Sequence, residues 1–259
     1  MVQQTQSWIG RESLAVLELA RLMSHPVFYG AGVPRGDGRL VLVLPGLFQN
    51  DWYLQPLHFW LANIGYRPVA STVWMAGCGE RLAQRAEEAL ERRLRWEDRP
   101  VALIGHSGGG IVARALASRL PTPPSHLILL GCPAAVFTSQ RWASTSSAPA
   151  GVPRVLAEIS TRVRDMLDPE CGAPDCRCPF FEALRTKPNN DTRVTSIYTP
   201  DDPIVPTGSC RITGAVNVEV SGTHSGLAFN PEVYRLIGEE LASDSARPAG
   251  LERVAFARR

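Results

Sequence analysis

One serine with glycines on both sides, Ser107, is the residue of this chain best suited to nucleophilic chemistry. It lies in the pattern Gly105-x-Ser107-x-Gly109, where the run 101–105 predicts a strand and the run 109–120 predicts a helix. Such a turn strains the serine backbone and lifts its hydroxyl above the sheet, and larger residues at the glycines would clash with strand and helix. The positive end of the helix dipole lies where negative charge develops in acyl transfer. The segment therefore predicts a nucleophile elbow.

A serine is a weak nucleophile, so it needs a base, and the base needs an acid that orients it. The chain has five histidines. Only His224 lies late in the chain, in a loop between a short predicted strand and a closing helix. The base is expected there when the three residues occur along the chain in the order Ser, Asp, His. The other histidines precede the sheet, lie in a predicted helix or strand, or sit inside the elbow: His25, His58, His126 and His106. We therefore predict that His224 is the base.

The acid is expected between these two residues, after a strand. The β-rich run 194–199 is followed by two adjacent aspartates, Asp201 and Asp202. Asp202 precedes Pro-Ile-Val-Pro, a form that commonly follows the acid in such enzymes, whereas aspartate is also a frequent turn residue. We favour Asp202 as the acid and Asp201 as a turn residue, and Asp201 stays open as the alternative.

Four segments together resemble the α/β-hydrolases, and most closely the small bacterial lipases and esterases of that superfamily. They are GHSGGG at 105–110, SIYTPDDPIVP at 196–206, VSGTHSGLAFNPEV at 220–233 and LVLVLPGLF at 40–48. The resemblance covers about 40–240. It implies an α/β fold with a mostly parallel central sheet, helices on both faces and a cap-like insertion. It also implies ester hydrolysis through an acyl-enzyme, while thioesterase, amidase or acyltransferase chemistry on the same triad and a non-catalytic binding protein stay open.

The resemblance also implies an oxyanion hole made of backbone N–H groups. By position these belong to Leu47 and Gly108, with Phe48 as the alternative to Leu47. The chain departs from the family at Pro45, where histidine is usual, and this alters the loop that supplies the first donor. Candidates for contact with the substrate flank this loop, lie in the elbow or belong to the insertion: Phe48, Trp52, Tyr53, His106, Phe180 and Phe181.

The organisation along the chain fits one domain with short additions at both ends. Residues 1–38 are expected to form an amphipathic helix and a lead-in, with a membrane-surface helix as the alternative. The domain is expected to span 39–242, since strands and helices alternate there as in parallel sheets. Residues 133–192 are the expected cap-like insertion, and 243–259 an Ala/Arg-rich flexible tail.

The composition narrows the class of partner. The 259 residues carry a formal net charge of +2, so no nucleic-acid partner is expected. No apolar run is long enough for a transmembrane helix, and the N-terminus lacks the pattern of a signal peptide. We expect a small-molecule or lipid ester as substrate, no cofactor, a monomer and a cytoplasmic location.

Six cysteines are many for a cytosolic chain, and three of them cluster at Cys171, Cys176 and Cys178. Disulfides within the cluster, or from it to Cys78 or Cys210, and reduced thiols are both open. Disulfides would favour an extracellular location. A metal site is not expected, since the spacing lacks the usual C-x-x-C pair and no histidine lies nearby.

Overall fold

A seven-stranded parallel sheet forms the centre of the computed structural model, which describes residues 15–95, 99–134, 178–243 and 252–254. The strand order is β2-β1-β3-β4-β5-β6-β7, and every neighbouring pair is parallel. The strands are Leu40–Leu44 (β1), Arg67–Ala70 (β2), Ala102–His106 (β3), His126–Leu130 (β4), Arg193–Tyr198 (β5), Val216–Glu219 (β6) and Glu252–Val254 (β7). Their carboxyl ends meet at one edge of the sheet, so the loops after β1, β3, β5 and β6 lie together there.

Helices cover both faces of the sheet. The α-helices are Ala15–Ser24 (α1), Gln55–Asn63 (α2), Gly79–Leu94 (α3), Gly108–Arg119 (α4), Pro179–Arg185 (α5), Thr207–Cys210 (α6) and Pro231–Leu241 (α7). Short 3₁₀ turns precede β1, open α2 and precede α7: Pro26–Tyr29, Asp51–Leu54 and Ser225–Phe229. The predicted α/β class and mostly parallel sheet are confirmed.

Alternate residues of the central strands β1, β3 and β4 enter two separate cores, because successive side chains of a strand point to opposite faces. Val41 and Val43 pack with α1, α2 and α7, whereas Leu40, Leu42 and Leu44 pack with α3, α4 and α5. The central strands are therefore apolar on both faces, and their sequence runs are continuous rather than alternating. The resulting layered body holds the ends of β1, β3 and β5 in fixed positions.

The predicted insertion at 133–192 needs a correction at its end. Its helix α5 packs against α4 and α3 as part of one helical layer of the body. The apolar surface of this short helix is buried against the neighbouring helices, so it does not lie over the edge of the sheet as a cap would. The predicted helix at 152–167, together with Cys171 and Cys176, lies outside the described residues.

The predicted flexible tail also differs in part. Glu252–Val254 forms the edge strand β7 and pairs with Asn217–Glu219 of β6. Without β7, the outer side of β6 would present a row of unpaired backbone groups, and these groups can pair with a short segment of the chain. The rest of 243–259, apart from Ser243, lies outside the described residues.

Candidate active site

Ser107 follows strand β3 directly and stands at the start of α4 in a strained conformation. Its φ is 51° and its ψ is −122°, values that a residue with a side chain rarely adopts. The Ser107 N–H donates to the carbonyl of Leu130 at 2.8 Å, which anchors the turn to the end of β4. The strand–turn–helix context predicted from sequence is therefore present, with the serine hydroxyl at the carboxyl edge of the sheet.

The flanking glycines permit the close packing that this turn needs. A Cβ atom at Gly105 would lie 2.4 Å from the Cα of Gly110, and one at Gly109 would lie 2.2 Å from the carbonyl oxygen of Pro45. Real Cβ atoms do not approach backbone atoms this closely. The first turn of α4 can therefore rest against β3 and the end of β1 only with glycine at these positions.

Three predicted residues from distant parts of the chain form one line of hydrogen bonds. The Ser107 hydroxyl lies 2.9 Å from His224 Nε2, in position to donate to it. On the other side of the ring, His224 Nδ1 donates to Asp202 Oδ2 at 2.6 Å. The side chains of His224 and Asp202 are almost entirely buried. This arrangement can accept a proton from the hydroxyl while a carboxylate stabilises the resulting imidazolium.

The loop after β5 orients the Asp202 carboxylate. Its Oδ1 accepts the N–H of Ile204 at 2.8 Å and that of Val205 at 2.7 Å, which leaves Oδ2 for His224. Asp201 is exposed on the same loop. The Asp-Pro-Ile-Val run therefore forms a turn around the carboxylate, a local feature that the sequence pattern reflects.

His106 and Tyr53 fix the loop that carries His224. The buried His106 donates its Nε2–H to the His224 carbonyl at 3.1 Å, and the Tyr53 hydroxyl donates to the Ser225 carbonyl at 2.8 Å. The two rings stack with their centroids 5.9 Å apart. Burial, together with the neighbouring His224, lowers the pKa of His106 to about 3, so the ring stays neutral at ordinary pH.

These contacts correct the expectation for His106. We predicted a substrate contact, but His106 is only 1% exposed and its ring packs against that of His224, with the centroids 5.2 Å apart. A residue between the glycine and the serine of the elbow points away from the hydroxyl, because successive side chains alternate at a strand end. Tyr53 is partly buried, and its hydroxyl is occupied by the Ser225 carbonyl.

The loop after β1 distinguishes the two candidate oxyanion donors. The Phe48 N–H donates to the Met75 carbonyl at 2.9 Å and is therefore already used. The Leu47 nitrogen lies close to the start of α4, since a Cβ at Gly108 would lie 3.5 Å from it. Leu47 and Gly108 are thus neighbours beside the hydroxyl of Ser107, and Phe48 is wrong as the alternative donor.

A glutamine that the sequence reasoning missed shapes this loop. Gln49 Oε1 accepts the Gly46 N–H at 2.9 Å, and the Gln49 N–H donates to the Gly46 carbonyl at 3.0 Å. The loop is joined to the segment after β2, where the Met75 N–H donates to the Gln49 carbonyl. No sequence motif marks Gln49, because the bond forms only once the turn has closed.

The remaining aromatic candidates are dispersed. Phe180 is 6% exposed and packs on the first residues of α3, so its expected role in substrate contact is corrected to a core role. Phe181 is partly buried against the same core. Trp52 is 80% exposed, and Phe48 adopts a positive φ of 59° at the turn. Beside these candidates, Leu47 of the same loop adjoins the start of α4, where a Cβ at Gly108 would lie 3.6 Å from the Leu47 Cβ.

The described cysteines bear on the disulfide alternatives. Cys210 is a buried free thiol, so the expected option of a bridge from the cluster to Cys210 is wrong. Burial raises the pKa of Cys210 to about 12 and raises that of the buried Cys132 as well, so neither thiol is a ready nucleophile. Within the part of the chain that the structure describes, no cluster of three or more His, Cys, Asp or Glu residues could hold a metal ion.

Solved structures share this architecture. A mutant of polyneuridine aldehyde esterase is 15% identical, with a TM-score of 0.51, over 80% of this chain and 100% of that one. The type II thioesterase BorB from the borrelidin biosynthetic cluster is 19% identical, with a TM-score of 0.51, over 83% and 95% of the two chains. Aspergillus fumigatus lipase B is 16% identical, with a TM-score of 0.54, over 85% and 56%.

The chain has the α/β-hydrolase fold. Its sequence matches no protein-family model and no curated protein. The hydrolase fold hosts many reactions, so the fold alone does not choose among them. In the described ranges of this hydrolase-fold chain, no helix is both long and apolar enough to cross a membrane.

Proposed function

We propose that this protein is a serine hydrolase that cleaves carboxylic esters, with Ser107 as nucleophile, His224 as base and Asp202 as the orienting acid. The observation that carries the proposal is the continuous hydrogen-bond line from Ser107 Oγ through His224 to Asp202, at 2.9 and 2.6 Å. It lies beside a serine whose backbone is held at a positive φ. Strain of this kind persists where the surrounding structure enforces it, and it is concentrated at functional sites.

The proposed reaction has two halves. Ser107 Oγ attacks the ester carbonyl as its proton passes to His224 Nε2, and the imidazolium then protonates the departing alcohol. Water attacks the acyl-enzyme with His224 again as base, which releases the acid and restores the serine hydroxyl. Asp202 holds the ring in the tautomer with its proton on Nδ1. No step uses a metal or an organic cofactor.

The oxyanion hole of this proposal consists of the Leu47 and Gly108 N–H groups. Their proximity at the start of α4 supports the assignment. Among the described backbone bonds outside helices and strands, the Leu47 N–H donates to no partner, whereas the Phe48 N–H does. Each donor aimed at the developing negative charge contributes about 3–4 kcal/mol of barrier lowering.

The proposed substrate class is a small-molecule or lipid ester. Thioesters, amides and acyl transfer use the same acyl-enzyme and differ in the leaving group or in the acceptor. A series of p-nitrophenyl esters of increasing acyl length, run beside matched thioesters and anilides, ranks these classes by kcat/KM. An oxygen ester is expected to be the preferred substrate.

Replacement of the nucleophile tests the function itself. Ser107→Ala is expected to lower ester turnover by about three orders of magnitude or more, because triad members act as a unit. A fluorophosphonate should phosphonylate the wild-type protein at Ser107, identified by mass spectrometry of the peptide. The matched control is Ser118→Ala on the same helix, which should keep full activity and labelling. Retention of a tenth of wild-type activity by folded Ser107→Ala contradicts the proposal.

A further inference from the structure

The N-terminal helix α1 contacts the loop of the base through one carboxylate. Glu18 Oε2 accepts the Thr223 hydroxyl at 2.8 Å, and Glu18 Oε1 accepts the Thr223 N–H at 3.2 Å. Thr223 directly precedes His224. A residue 205 positions earlier in the chain therefore binds both polar groups at the entry of the loop that carries the base.

The Thr223 hydroxyl connects Glu18 to the rest of the loop. It donates to Glu18 and accepts the Gly226 N–H at 3.0 Å, so one hydroxyl joins the carboxylate to both sides of His224. With threonine replaced by an apolar residue of the same shape, the Gly226 N–H would lose its acceptor. A buried donor without a partner costs more than the bond contributes.

The loop sequence leaves room for this carboxylate. A Cβ at Gly226 would lie 1.6 Å from Glu18 Oε2, and one at Gly222 would lie 3.3 Å from Oε1. Gly222 also has a φ of 136°, which a residue with a side chain rarely adopts. Both glycines thus form a cradle around the Glu18 head group. Leu22, one turn after Glu18 on the same helix, is fully buried in the core, so both residues lie on the side of the helix that faces the body.

We propose that Glu18 is a positioning residue that sets the orientation of His224 relative to Ser107 and Asp202; the inference rests on the proposed function. The imidazole must stay within hydrogen-bond reach of both partners, and a displacement of about 1 Å can cost roughly a hundredfold in rate. His106 and Tyr53 fix the carbonyls of residues 224 and 225, and Glu18 fixes the N–H and hydroxyl of residue 223. The N-terminal helix is therefore part of the active site.

Paired variants at both ends of the contact test this role. In Glu18→Gln one acceptor oxygen becomes a donor, and in Thr223→Val the hydroxyl is lost while the shape is kept. Each is expected to lower kcat about tenfold with KM changed less than twofold, because the oxyanion loop is untouched. The double variant should fall no further than Thr223→Val alone, because without the hydroxyl Glu18 has lost its main partner in the loop. Thr223→Ser, which keeps the hydroxyl, should recover the rate that Thr223→Val loses.

A control separates positioning from stability. Glu87→Gln removes a partly buried carboxylate that bonds Arg119 at 2.8 Å between α3 and α4, and it should leave kcat unchanged. Thermal melting and the rate of fluorophosphonate labelling are measured for every variant. The inference predicts slower labelling for Glu18→Gln with a melting shift no larger than that of Glu87→Gln. A Glu18→Gln protein that labels and turns over at the wild-type rate overturns it.

The two proposals fail in different ways. Wild-type protein that is not labelled at Ser107 would contradict the proposed function. Wild-type protein that labels normally, with additive effects of Glu18→Gln and Thr223→Val, would contradict only the role of Glu18. If Glu18→Gln alone fails to fold, the Thr223→Val and Thr223→Ser variants test the same contact from its other end.

Discussion

The two adjacent aspartates after β5 differ in what their carboxylates contact. Asp202 uses one oxygen for two backbone N–H groups and the other for His224. An asparagine there can keep the backbone bonds only by presenting its NH₂ group to the ring. The ring would then have to accept at Nδ1 and carry its proton on Nε2, where it can no longer accept a proton from Ser107.

Asp202→Asn should therefore lower kcat by about 10⁴-fold, with the protein still folded. Asp201→Asn is the matched control, since the same change at the exposed neighbour should cost less than threefold. Steady-state kinetics on one p-nitrophenyl ester measure both. If Asp201→Asn were the more damaging change, the acid would have to be reassigned to Asp201.

Residues were predictable where the chemistry is local and unpredictable where it depends on distant partners. Ser107, His224 and Asp202 each carry a local motif, and the structure brings all three together. The choice between Leu47 and Phe48 depended on the Met75 carbonyl, which no pattern around the loop indicates. Glu18 lies in the predicted N-terminal helix, and no local pattern indicates its contact with Thr223, 205 positions later.

Among the helices and strands, too, those defined by local sequence were predictable and those defined by distant contacts were not. Strand β3 and helix α4 were predicted to within one residue, because their apolar runs and the intervening glycines are contiguous in sequence. Helix α5 was assigned to a cap, since an apolar Phe-Phe pair reads alike in a pocket wall and in a core. Its position was decided by Gly79, whose missing side chain leaves the space that the Phe180 ring fills.

The elbow itself can be tested as an element. Gly109→Ala would place a Cβ 2.2 Å from the Pro45 carbonyl oxygen and force α4 away from β1. Overpacking of this kind is expected to lower the free energy of unfolding by about 3 kcal/mol, and to abolish activity by moving Ser107. Urea unfolding and ester turnover are the measurements.

Gly208→Ala is the matched control, because a Cβ there meets nothing within 4 Å. That change should leave stability equal or raise it by up to about 1 kcal/mol, since alanine reduces the freedom of the unfolded chain. Equal stability of Gly109→Ala and wild type would show that the elbow can relax, against the account given for its glycines.

At the scale of the whole molecule, a buried polar cluster closes the end of the sheet opposite to Ser107. His126 begins β4, and its Nδ1 lies 3.1 Å from Arg39 Nη1, a donor, so the ring must be neutral to accept. Nearby, Arg193 donates to the buried Glu240 at 2.6 Å. Burial, with Arg39 beside it, lowers the pKa of His126 to about 4.

The pKa of His126 makes stability depend on pH. In the unfolded chain this histidine takes up a proton as pH falls below about 6.5, whereas in the folded protein it stays neutral down to about pH 4. Between these values the unfolded state binds more protons, so stability falls as pH falls. In this window His126 should lower the free energy of unfolding by about 1.4 kcal/mol for each unit by which the pH falls. His106, whose folded pKa is about 3, should have an effect of the same size.

His126→Asn keeps an acceptor near Arg39 and removes the titration. It should reduce the slope of the free energy of unfolding between pH 6 and 5 by about 1.4 kcal/mol per pH unit relative to wild type. Urea unfolding at both pH values gives the slope, and the difference is insensitive to the baseline cost of the substitution. An unaltered slope in His126→Asn would mean that the ring already carries a proton in the folded protein, in conflict with its contact to Arg39.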